Sequence, residues 1–239
     1  MGLFDFLTKS SGDGALKKHA ARVANKRAQA ADRWESIIAL RDMGSAEAVE
    51  ALTQRFTYAT DPSITDQEEK ELAFQAIVAA GEGAIEPVKG FLRVHDSLSW
   101  GLKMLRGLLD EEAVVGFLLE LLEPMDVEYE RDPQKKIQVL SALADTLDPR
   151  ISAGVSRFVE DVNETSRLHA AAALLAQEGA EAHRDILLER LASEESMRVR
   201  AQILDGFIAR GWDLGDRAAE LRSRLPQGYA LDAKGLPRK

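Results

Sequence analysis

The chain has 239 residues, of which 45% are hydrophobic and 30% charged, with 17 glycines, 7 prolines and no cysteine. That composition is of a packed globular chain rather than a disordered one, and it excludes disulfides, thiolate metal sites and cysteine nucleophiles. The formal net charge is −9, but residues 1–33 carry seven Lys/Arg against three Asp, so the remainder holds 24 bases against 37 acids. An acidic body repels phosphate backbones, which makes nucleic acid an unfavourable partner for the main surface.

The N-terminal segment opens with an apolar cluster, Leu3, Phe4, Phe6 and Leu7. It is too short and too acidic for a secretory signal, and nothing in the sequence reaches the roughly 18 apolar residues of a membrane span. A Ser10–Gly14 hinge then precedes a basic helix over 15–31 with Lys17, Lys18, Arg22, Lys26 and Arg27. We read 1–29 as an apolar-tipped segment and capping helix, whose four apolar residues can dock a partner or touch an anionic membrane weakly. The expected compartment is the cytoplasm.

From residue 30 the pattern repeats. Trp34–Gly44 reads as an apolar-striped helix with a glycine stop, and Ser45–Phe56 as a second amphipathic helix. The plan recurs as Glu71–Gly81 with Ala84–Leu92, and as Trp100–Leu109 with Ala113–Leu122. It continues as Lys136–Leu147 with Ile151–Val162, Arg167–Gly179 with Ala182–Leu191, and Arg198–Gly211 with Arg217–Leu225. Matching positions Leu52, Val88, Phe117, Val155, Ile186 and Leu221 fall 36, 29, 38, 31 and 35 residues apart, the period of helical-hairpin arrays. Asp61-Pro62-Ser63, Asp132-Pro133 and Asp148-Pro149 place an acceptor before a proline at helix starts. The acidic stretch 123–132, around Tyr129, is the longest irregular connection. A single hairpin cannot bury both of its stripes, so one core is expected to run from 30 to 225, with a tail over 226–239.

The stretches Glu194–Leu204, with Val199-Arg200-Ala201, and Ser166–Leu175, with its alanine run and Leu174-Leu175, resemble HEAT-like repeats, including the short variety named for phycobilisome bilin lyases. The resemblance covers about residues 30–225 and implies an all-α, right-handed α-α superhelix, a solenoid of about six hairpins. Such folds host many functions. Among similar families, deoxyhypusine hydroxylases hold two irons with His-Glu pairs, and none of His19, His95, His169 and His183 is followed by Glu. No residue marks a bilin site. Helical-repeat DNA glycosylases use a basic concave surface, which this body does not offer.

Chemistry is otherwise sparse. No two histidines stand at i, i+4, the glycine pairs at 12–14 and 81–83 lack a following Lys-Ser/Thr, and Gly-x-Ser-x-Gly is absent. No catalytic, metal or cofactor residue is therefore expected. The reading is a non-catalytic protein-interaction scaffold that uses the polar faces of the second helices: Arg55, Lys89, Arg93, Glu120, Arg157 and Arg190, with Tyr58 as an aromatic anchor. The alternatives are a bilin-lyase-like or other helical-repeat enzyme, or nucleic-acid binding through the basic N-terminal helix.

Overall fold

The computed structural model describes the backbone of residues 3–96 and 98–239, with side chains from Asp13 onward. Among the described residues there are thirteen α-helices, six short 3-10 turns and one two-residue β-hairpin. None of the helices is long and apolar enough to cross a membrane. Two compact units divide at residues 114 and 115.

The first unit holds α1 (Leu3–Val23), α2 (Ala30–Met43), α3 (Ala46–Thr53), α4 (Ser63–Ala79), α5 (Ile85–Val94) and α6 (Leu98–Leu108). Within it α1 packs on α2, α2 on α4 and α4 on α6, while α3 packs on α5. First helices thus form one layer and second helices another. The boundary falls inside α7 (Glu111–Leu122). The second unit continues with α8 (Gln134–Ala144), α9 (Pro149–Val155), α10 (Glu164–Ala176), α11 (Arg184–Ser193), α12 (Met197–Arg210) and α13 (Ala218–Leu221). Its first helices pack in the order α8, α10, α12.

Local chemistry explains the boundaries. Ser45, Asn163 and Ser196 cap α3, α10 and α12 by accepting backbone amides of the first turn. Asp132 and Asp148 accept the amides of Gln134 and Arg150, as their Asp-Pro pairs predict. Before α4 the plan differs: Asp61 gives no cap, and Asp66 Oδ1 takes the Thr60 amide instead. Gly44 and Gly211 adopt the left-handed conformation that lets α2 and α12 reverse. Gly206 serves packing, since a Cβ there would lie 2.4 Å from Leu175 of the neighbouring first helix.

Four expectations are corrected. The Ser10–Gly14 stretch is helical, within α1, and not a hinge. The basic helix ends at Val23 rather than Ala31, because Asn25 turns the chain by accepting the Arg27 amide and, on its carbonyl, the Ala28 amide. Gly179 is not a helix stop; α10 ends at Ala176, where the Gln177 side chain bonds Thr146 O and Ala173 O and accepts the Asp148 amide. Residues 226–239 are not a loose tail: Ala230–Leu231 pairs antiparallel with Pro237–Arg238, Leu231 is buried, and the Leu214 amide bonds Gly235 O.

Successive hairpins are joined by buried charge. In the first unit Glu69 of α4 takes a two-pronged bond from Arg33 of α2, at 2.9 Å each, and a 2.7 Å bond from Arg55. Arg55 also reaches Asp66, which Lys70 holds from the other side, both at 2.7 Å. In the second unit Lys136, near the start of α8, lies 2.7 Å from Asp161 in an ion pair outside hydrogen-bond geometry. Arg167, one first helix later, grips Glu194 with two bonds at 2.8 and 2.9 Å. Asp161 and Glu194 also accept the backbone amides of the caps Asn163 and Ser196. Burial pushes the Glu194 carboxyl up, but Arg167 and the Ser196 amide outweigh it and hold it below the usual range.

Removing one partner leaves the others buried and unpaired, a loss of about 3–5 kcal/mol. Glu69→Gln is therefore expected to lower stability by about that amount in urea unfolding. Glu71→Gln removes only the exposed pair with Lys103 and is expected to cost about 1 kcal/mol or less. Burial raises the Asp66 carboxyl, yet Lys70, Arg55 and the Thr60 amide pull it from 3.8 to about 2. Its contribution is thus complete above pH about 4 and lost as pH falls through about 2. The stability gap between the unsubstituted protein and Asp66→Asn should narrow over that interval in pH-stepped thermal melts.

Candidate functional site

Concave surface lies between successive second helices. In the first unit α3 and α5 flank a trough of about 510 Å³. Its lining includes Pro87, Gly90, Phe91 and Val94, and its carboxylates are Glu47, Glu50 and Glu86. In the second unit the 115–122 part of α7 and α9 enclose about 390 Å³ around Leu119 and Gly154, with Glu120, Glu123 and Arg157 at the rim. A third hollow, about 720 Å³, lies between α11 and the chain after α12. It carries Glu181, Asp185, Glu189, Asp213 and Asp216 against Arg184 and Arg217, beside Trp212. A fourth, of about 530 Å³, adjoins the turns before α9 and α11 and is lined by Leu147, Asp148, Glu178 and His183. In each the carboxylates outnumber the lysines and arginines.

The expected partner-binding residues divide sharply. Arg55 is a correction: it is fully buried, its guanidinium spent on Glu69 and Asp66. Tyr58 is half-buried; its ring lies under the Arg55 guanidinium and its hydroxyl donates to Val23 O at the end of α1. Burial accordingly pushes the Tyr58 phenol up. Lys89 and Arg93 share α5 and both reach Glu86, at 3.5 and 3.8 Å. Glu120 is exposed at the α7–α9 rim. Arg157 lies on that rim too, but its Nη2 donates to the carbonyls of Leu122, Glu123 and Met125, closing the C-terminal end of α7. Arg190 pairs with Glu160 at 3.1 Å and lies 3.3 Å from Glu194. The side chains of Leu3, Phe4, Phe6 and Leu7 lie outside the described residues, so the N-terminal docking expectation has no structural counterpart.

The expected cations are thus turned to the protein's own carboxylates and carbonyls, and of the carboxylates that face the troughs only Glu120 was among the expected residues. Glu47 and Glu50 stand three apart on α3, and Asp185 and Glu189 four apart on α11. That spacing places each pair on one helix face. Registering the second helices on one another would have found them.

Among the described residues no group of three or more His, Asp and Glu is placed to hold a metal ion. His169 is half-buried on α10, and burial lowers its imidazole below the usual value. Trp100 packs against Phe56 and Phe74 at 5.2 and 6.2 Å between ring centres, and Trp212 stands edge-on to Phe207. No family model, curated protein or solved structure matches the chain.

The acidic 123–132 connection is pinned rather than loose, by Arg157 and by Lys136, which donates to Asp126 O at 2.9 Å. Arg157→Ala strips three helix-end carbonyls of their donor. Cleavage of this connection by a glutamate-specific protease is expected to speed up by about tenfold, the effect of losing roughly 1–2 kcal/mol of local order.

Proposed function

We propose that this chain is a non-catalytic interaction module, a solenoid of HEAT-like hairpins that holds a partner protein along its second helices. The observation that carries the reading is the placement of the troughs. Two of them open between consecutive second helices, α3 with α5 and α7 with α9, and a third lies against α11 and the chain that follows α12. Volumes of about 390 to 720 Å³ suit side chains of an extended or helical segment. The first helices are committed to packing and to the buried ion pairs, which leaves the second-helix side open for a partner. We place the module in the cytoplasm, in keeping with a cysteine-free chain.

The test is affinity capture from the source cells with the full chain and variants of it. Gly90→Trp fills the α3–α5 trough from a position where an added Cβ meets no atom within 4 Å. Glu189→Arg reverses a charge in the α11 trough. At least one captured protein is expected to be lost with a trough variant and kept with Glu68→Ala, on the exposed side of α4. If every captured protein is retained by all trough variants, with their helical content unchanged, the reading fails.

A further inference from the structure

The α3–α5 trough has a specific chemistry, and we propose that it docks a cationic protein segment through one large apolar side chain flanked by lysine or arginine. This rests on the interaction reading above and adds the chemistry of the partner. Val94, the last residue of α5, is 75% exposed at the edge of the trough. Beneath it Phe91 is buried, with the His95 ring 4.6 Å from its own. One turn before Val94, Gly90 leaves bare helix backbone, and a Cβ there would touch nothing within 4 Å. Pro87 and Ala46 complete an apolar floor with an empty place over Gly90. A leucine, methionine or phenylalanine entering there would remove its own apolar surface and that of Val94 from water.

The rim decides which segments can bring that side chain. Glu47 and Glu50 stand on the outward face of α3, and Glu86 faces them from α5. The nearby cations are turned to Glu86, since both Lys89 and Arg93 reach it. Glu50 has no ion-pair partner among the described residues. Glu47 is held ionised by its backbone amide and the Ser45 hydroxyl, which lower its carboxyl. The α3 side therefore carries two uncompensated negative charges along the length of the apolar floor. An acidic segment or a phosphate would be repelled, while Lys or Arg beside the anchor would find a carboxylate in reach. At such an exposed rim each pair adds little affinity; it selects the partner and speeds the encounter.

The test is a displayed random-peptide library selected on the full chain, with the best peptide then synthesised and its Kd measured. Enriched sequences are expected to carry Leu, Met, Phe or Trp next to Lys or Arg. The peptide should lose about tenfold or more in affinity against Gly90→Trp and against Glu47→Lys/Glu50→Lys, equal to about 1.4 kcal/mol or more. It should change less than about twofold against Glu68→Lys, and weaken several-fold between low and high salt. Enrichment of acidic or uncharged peptides, binding indifferent to Glu47→Lys/Glu50→Lys, or no enrichment overturns the proposal. A peptide displaced only by Glu189→Arg also overturns it, while leaving the interaction reading intact. That reading is lost only if capture ignores every trough.

Discussion

The pairing of a buried carboxylate with a cation from a neighbouring hairpin is the constraint on which the rest of each unit depends. Hydrophobic stripes alone bring hairpins together, but they tolerate sliding along the helix axis. A guanidinium that must meet Glu69 or Glu194 with both of its prongs does not. The ion pairs therefore add register more than net stability, because desolvating the charges offsets most of their attraction. The same acids accept the amides of helix caps in the second unit, so one carboxylate sets both where a helix begins and which neighbour it lies beside.

With register set in the first-helix layer, the second helices are left with a side that no hairpin covers. They are short, and three of them, α3, α9 and α13, tighten into 3-10 turns at their C-terminal ends. Their C-terminal carbonyls are met by arginines: Arg157 at the end of α7 and Arg224 at the end of α11, through Ala192 O. These cations look free in a linear sequence and are structural in three dimensions. On the open side carboxylates outnumber the remaining cations, and this moves the proposed partner from one of mixed charge to a basic one.

Much of the helical plan was legible because it rests on local chemistry. Ser45, Asn163 and Ser196 cap, Gly44 and Gly211 release, and the apolar spacing between them is helical. Two of the misreadings share a cause, which is contact over distance. Arg55 reads as a surface residue until Asp66 and Glu69, 11 and 14 residues on, fold over it. The last fourteen residues read as a tail until Tyr229 bonds Asp205 and Leu231 finds its place in the core. Asn25 could have been read locally: a short polar side chain before Lys-Arg, able to bond the amide two residues on, is a turn former inside an otherwise helical run.

The buried pairs that link one first helix to the next, or to its entry, have one more consequence. The α10 hairpin carries half of such a pair on either side, Arg167 reaching forward to Glu194 and Asp161, at its entry, reaching back to Lys136. A hairpin cut out or shuffled would therefore bring mismatched halves into a dry interface. Change within such a unit travels more easily by altering the open face of one hairpin than by exchanging hairpins, so the furrows can change while the pairing of first helices is kept.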